Sequence, residues 1–251
     1  MKTNYHTHTE RCNHAIGSDE EYVLSAIEGG FDLLGFSDHT PWCFKDGYVS
    51  GIRMGPEEVD DYVNSVRALG QKYADRIEIK VGLECEYYVD HISWLREERE
   101  RLGLDYLIFG NHYPYSEPNP LYFARSTSKE DLDLYLKCSV EALESGLFDC
   151  FAHPDLFMRG YKEVDAHVRD IFRQLSRTAR DTGVVMEFNT SMTYNRELWE
   201  IVAEEQPQVI IGLDCHQTHL LRIPSLYTHA EQRLCEMGIE PIRILGDRSV
   251  G

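Results

Sequence analysis

Apolar positions along this chain come in short continuous runs separated by longer segments in which they recur every three to four residues. The runs TNYHTHT, FDLLGFS (31–37), IEIKVGLE (77–84), LDYLIFG (104–110), FDCFAH (148–153), VVMEFN (184–189), QVIIGLD (208–214) and PIRIL (241–245) read as eight short strands. Between them the spacing predicts helices. Ser18 with Glu21 three residues on is a capping-box pattern, opening a helix that stops at Gly29-Gly30. Pro56 suits the first turn of a helix over 56–74, where its missing N–H has no partner to lose. Further helices are expected near 91–101, 128–145, 163–181, 194–204 and 226–237. Strands alternating with helices imply a parallel sheet, and runs apolar on both faces are what a sheet buried on both sides requires.

With 251 residues and this many units, a closed barrel is favoured over an open doubly wound sheet. No G-x-G-x-x-G follows the first strand, which removes the usual dinucleotide site. No linker or repeat divides the chain, so a single domain over 1–251 is expected. The 42 % apolar fraction suffices for a core. No apolar stretch reaches the roughly 18 residues of a membrane span. The first residues, MKTNYHTHTER, contain no apolar signal segment. Net charge is −18, from 25 Lys plus Arg against 43 Asp plus Glu. That balance argues against long nucleic acid as a partner, whereas a small phosphorylated ligand needs only a local cation. Seven cysteines without a C-x-x-C pair point to reduced thiols and a cytoplasmic protein.

The chemistry stands where the strands stop. His6 and His8 leave one face of the first strand, at i and i+2. Asp38-His39 follows the second, Glu84 ends the third, and Asn111-His112 follows the fourth. His153 ends the fifth, Glu187 and Asn189 the sixth, and Asp214 and His216 the seventh. In a parallel barrel these ends share one rim, where active sites are built. His6, His8, His14, His39, Glu84, His112, His153, Asp214 and His216 are therefore expected to converge. Any one buried histidine is ordinarily structural. Seven at one rim would be poorly solvated without a cation among them. Imidazole and carboxylate without thiolate suit Zn, Mn or Fe, and nine donors suggest two or three ions with Glu84 bridging.

Further candidates surround this set. Cys85 and Cys215 turn to the opposite face and pack; Cys12 and Cys43 lie on rim loops outside the donor set. His219 is expected at the surface, and Asp38 and Asp155 are expected to orient imidazoles, Asp155 that of His153. Arg159 and Arg196, on rim loops, are candidates for gripping phosphate bidentately. Trp42, Tyr113, Tyr115 and Tyr194 could stack a planar group or simply pack. A phosphoester is the anion that matches several divalent ions, attacked in line by a metal-bridging hydroxide held by Glu84 and Asp214, with Asp214 carrying away its proton. Arg159 and Arg196 would stabilise the transition-state charge.

HTHTERCNH, FSDHT, VGLECEY, FGNHY, FAHPDL and GLDCH, in that order over residues 6–216, resemble the motifs of the polymerase and histidinol phosphatase (PHP) family. The resemblance implies a distorted (β/α)7 barrel, so that the eighth run stands outside the barrel. It implies a trinuclear centre: His6, His8, Glu84 and Asp214 on one ion; Glu84, His112 and His153 on the second; His14, His39 and His216 on the third. HPDL and FNTS are similar to stretches of the family's histidinol-phosphate phosphatases, and Arg159 and Arg196 fall where those place phosphate-binding arginines. GLDCH and FNTSMTYN depart from that subgroup's GSDAH and INTSG, which bears on the alcohol. Two other readings stay open: a phosphodiesterase or nucleotide phosphatase of the same family, and a noncatalytic metal-binding module.

Overall fold

The computed structural model describes residues 1–44 and 47–246. Seven parallel strands form one sheet in chain order: β1 (Thr3–Asn4), β2 (Leu33–His39), β3 (Glu78–Cys85), β4 (Tyr106–Phe109), β5 (Cys150–Phe151), β6 (Val185–Asn189) and β7 (Val209–Gly212). Seven helices alternate with them: α1 (Asp19–Glu28), α2 (Val59–Lys72), α3 (Ile92–Leu102), α4 (Lys129–Glu144), α5 (Ala166–Thr182), α6 (Arg196–Glu205) and α7 (Pro224–Glu236). The sheet closes on itself just past β1 and β7. There the His8 N–H donates to Cys215 O at 2.9 Å and the Cys215 N–H to His6 O at 3.0 Å. The fold is the seven-stranded α/β barrel expected, in a single sheet.

Helix starts follow local chemistry. Ser18 caps α1 with the expected reciprocal pair, the Glu21 N–H donating to Ser18 Oγ and the Ser18 N–H to Glu21 Oε2 at 2.7 Å. Ser128 caps α4 by accepting from the Asp131 N–H at 3.1 Å. Pro56 opens a single 3-10 turn, Pro56–Glu58, and α2 proper begins only at Val59. An apolar layer between strands and helices carries most of the core, including Trp199, Phe172 and Tyr62. A second, smaller cluster, with Tyr5, Leu33, Tyr106, Ile108 and Ile210, takes the alternate strand positions. The Tyr106 hydroxyl there donates to Tyr5 O at 2.7 Å.

The predicted eighth strand does not form. Residues 241–245 are irregular and join the sheet through one ladder-like bond, from the Ile242 N–H to Val209 O at 2.8 Å. Ile242 and Leu245 pack against the smaller cluster instead. β1 and β7 already bond to each other near the rim, so no strand edge is left for another partner there.

Candidate metal centre and cavity

Parallel register delivers the polar side chains to one rim. His39 ends β2 directly opposite Glu84 of β3. His112, His153 and Asp214 lie two or three residues beyond β4, β5 and β7. His153 and Asp214 hold φ of 31° and 50°, a region that L-residues with side chains seldom occupy. Such strain persists only where surrounding structure enforces it, and it commonly marks a functional position.

Glu84 sits at the centre. Its Oε1 is 2.8 Å from His153 Nε2 and 3.4 Å from His112 Nε2. Its Oε2 is 3.1 Å from His39 Nδ1 and 3.5 Å from the Nε2 atoms of His6 and His8. Asp214 Oδ1 lies 3.5, 3.4 and 3.3 Å from His6, His8 and His216. The His14 ring stands 4.6 Å from His216 and 5.4 Å from His39, centroid to centroid. All nine expected donors are thus brought together.

The fit to metal ions can be judged from this packing. His6 and His8 are fully buried with Nε2 atoms 3.1 Å apart. Buried nitrogens of His8, His39, His153 and His216 make no hydrogen bond among the described residues. Stranded polar atoms of this kind are costly unless a cation receives their lone pairs. Groups such as His8–His39–His216, His6–His8–Glu84 and His6–His153–Asp214 offer donor atoms within 4.8 Å of one another. The residues fit divalent ions.

Carboxylates behind the donors fix the rings. Glu187 Oε1 is 2.8 Å from His6 Nδ1, and its Oε2 accepts from the His153 N–H at 3.0 Å. Glu86 Oε1 is 3.0 Å from His112 Nδ1. Asp38 Oδ1 lies 3.4 Å from His8 Nδ1, within ion-pair range but without a hydrogen bond, so it stands beside an imidazole as expected. Asp155 does not: it forms no hydrogen bond with His153, and each keeps an unpartnered buried atom. Burial pushes the Asp155 carboxyl up to about 7. Nothing in the sequence gives Glu86 or Glu187 this role, although Glu86 follows Glu84 at i+2, one residue past the end of β3.

Electrostatics separate the titratable groups. Burial alone would raise Glu84, but His112, His6 and His39 outweigh it and hold the carboxyl well below the usual range. Asp214 is held low likewise, against burial, by His6, His216 and His8. Burial lowers His6 and His8, yet neighbouring carboxylates overcome it and raise both well above an ordinary imidazole. His39 moves down, through burial and the charge of His8.

The donors open into a cavity of about 670 Å³. Arg159 lines it, with Nε donating to Met192 Sδ at 3.1 Å and Nη2 to Ser191 Oγ at 3.3 Å. Ser191 in turn donates to Asp214 Oδ2 at 3.0 Å. Arg196 does not line the cavity. It starts α6, its side chain is 62 % exposed, and it pairs with Glu200 at 2.8 Å. Of the four aromatics singled out, Tyr113 lines the cavity, stacked on Tyr122. Trp42 is buried against Trp94, and Tyr115 and Tyr194 line separate hollows. Tyr122 and Arg125, which nothing in the sequence marked, complete the wall. Cys85 and Cys215 pack in the apolar layer, whereas Cys43 and His219 are exposed. Cys12 is buried closer than expected, with Sγ within 4.8 Å of donor atoms of His14 and His216.

A parallel barrel whose C-terminal rim gathers His and carboxylate side chains that could hold metal ions sets the class of protein. Residues 4–191 match the PHP domain family, and the chain belongs to it. Among relatives, a Deinococcus radiodurans protein named "Probable histidinol-phosphatase" is 28 % identical over 230 residues, 84 % of this chain and 85 % of that one. A Schizosaccharomyces pombe protein of the same name is 27 % identical over 256 residues, 87 % of this chain and 82 % of that one. Among solved structures, histidinol phosphate phosphatase of Lactococcus lactis, complexed with zinc, L-histidinol and phosphate, superposes with a TM-score of 0.77. It covers 96 % of this chain and 95 % of that one at 19 % identity, a likeness of fold.

Proposed function

We propose that this protein is a metal-dependent phosphate monoester hydrolase that converts L-histidinol phosphate and water to L-histidinol and phosphate. The observation that carries the reading is the complete nine-donor cluster opening into the same cavity as Arg159. The names of the two relatives support the substrate. Three divalent ions, Zn, Mn or Fe, would be held as the family resemblance implies: by His6, His8, Glu84 and Asp214; by Glu84, His112 and His153; and by His14, His39 and His216. Bound there, such ions polarise phosphoryl oxygens and bring the pKa of water toward neutrality.

The protein's own groups do the rest. Glu84 and Asp214 enter the reaction ionised and fix the donor geometry. Asp214, hydrogen-bonded by Ser191 at Oδ2, takes the proton released as water attacks phosphorus in line, the bond from phosphorus to the histidinol oxygen breaks, and that proton passes on to the departing oxygen to give L-histidinol. Arg159 grips phosphoryl oxygens and stabilises the charge that builds on them. The partner is a small phosphorylated molecule: the net charge of −18 disfavours long nucleic acid, and no helix among the described residues is long and apolar enough to cross a membrane. Seven unpaired cysteines suit a cytoplasmic setting, and the 251 residues act as one domain.

The test is phosphate release by metal-reconstituted protein from L-histidinol phosphate, beside other monoesters and bis-p-nitrophenyl phosphate. The expected kcat/KM for histidinol phosphate is about 10⁴ M⁻¹s⁻¹ or more, well above the panel. Slow turnover spread over the monoesters overturns the substrate. Faster cleavage of the diester overturns the monoesterase assignment.

A further inference from the structure

Two guanidinium groups line the cavity, those of Arg159 and Arg125. Each belongs to the last residue of a short 3-10 turn, Leu156–Arg159 and Phe123–Arg125. The turns meet backbone to backbone at Gly160. A Cβ there would lie 2.2 Å from Ser126 O and 2.7 Å from the Arg125 carbonyl carbon, so the missing side chain is what lets the two arginines approach.

Neither guanidinium has a carboxylate partner among the described residues. The chain carries 43 acidic side chains, and Arg11, Arg53, Arg99, Arg101, Arg196 and Arg243 are all paired with them. Arg67, Arg76, Arg96 and Arg233 likewise lack a carboxylate among the described residues, but of these six only Arg125 and Arg159 line the cavity into which the donor cluster opens, where an anion from outside can meet both. Tyr122 ties that wall to the donor cluster. Its ring lies 5.9 Å from the Arg125 guanidinium carbon. Burial raises its hydroxyl pKa, and Arg159, Glu84, Asp214 and Arg125 all act on it electrostatically. Tyr122 lines the cavity together with both arginines, Glu84 and Asp214. Arg196, held by Glu200, offers no such placement.

We propose that Arg125 and Arg159 form the clamp for the substrate's phosphate dianion, Arg125 taking the place expected of Arg196. The inference rests on the hydrolase reading and adds a selectivity to it. Two cations on one wall favour a dianionic monoester over a singly charged diester, since each guanidinium can meet a separate oxygen pair.

The test uses the full chain with metal restored and inorganic phosphate as the probe, titrated calorimetrically. Arg125→Gln is expected to weaken phosphate about 10- to 100-fold, the scale of a lost charge-assisted contact. Arg125→Lys, which keeps the charge without the fork, should recover part of that loss. In turnover, Arg125→Gln should lower kcat/KM for L-histidinol phosphate more than for bis-p-nitrophenyl phosphate. Phosphate affinity within about twofold of wild type in Arg125→Gln overturns the clamp. So does a larger loss in Arg196→Gln than in Arg125→Gln, or wild-type protein that binds no phosphate. Binding is read without turnover, so the two readings fail separately. Arg125-dependent phosphate binding in a protein inert toward histidinol phosphate keeps the clamp and discards the substrate.

Discussion

Glu86 is 1 % exposed and meets Arg53 at 3.0 Å, Trp42 Nε1 at 2.8 Å and His112 Nδ1 at 3.0 Å. Burial would raise its carboxyl, but Arg53 and His112 bring it down to about 2. It is an anion fixed behind a metal donor. Glu86→Gln keeps the shape and removes the charge, while Arg53 retains Glu117 at 2.6 Å. Metal affinity is expected to fall about 10- to 100-fold, the usual cost of losing a donor's supporting partner. Competition with a chromogenic chelator measures it, and unchanged affinity would show that His112 needs no such support. At this scale the donors were legible because strand ends are legible. Their supports were legible only in part: Asp38 adjoins a donor in the chain, but Glu187 reaches His6 across 181 residues. Arg196 misled for a related reason. Each helical step turns a side chain by about 100°, so distance from the strand end does not say which way it faces.

Strand ends work only if the backbone there leaves room. Gly110 follows β4, and a Cβ at that position would lie 2.4 Å from Glu84 Oε1 and 2.7 Å from His112 Cε1. Gly110→Ala must therefore push aside the central carboxylate or a donor ring, both nearly buried. The expected result is a folded barrel with native far-ultraviolet circular dichroism, depleted metal and turnover reduced about 100-fold or more, the scale of a misplaced catalytic group. Full metal content would mean that Glu84 has slack the packing does not suggest. Elements as such were largely readable, down to the Ser18 capping box. The exception, residues 241–245, has an apolar pattern that fits a strand and a plug equally well. Closure between β1 and β7 decided between them, and closure is a long-range fact that no local pattern contains.

For the whole molecule, protons and metal ions compete for the same nitrogens. In the metal-free protein His6, His8, His14 and His112 are raised above the ordinary imidazole value near 6.5, whereas His39 and His216 are lowered. A raised group adds stability that is present in full below its unfolded value and is lost as pH climbs through its folded value. The two lowered groups act in the opposite sense, costing stability as pH falls below 6.5 and through their folded values. Above about 6.5 the two lowered groups no longer change stability, so the four raised ones, His6 and His8 foremost, leave a net loss as pH rises. Surface carboxylates are ionised throughout that range and contribute a nearly constant background. The loaded protein must behave otherwise, because imidazole binds metal only when deprotonated and binding therefore strengthens with pH. Ions that bind only the folded state add that affinity to stability. The gap in melting midpoint between metal-loaded and chelator-stripped protein is thus expected to widen steadily from about pH 6 to about pH 8.5, with the stripped protein itself softening over the same interval. Thermal scans at fixed free metal concentration measure both curves. A gap that stays constant or narrows would mean that the histidines at the rim are not what holds the metal.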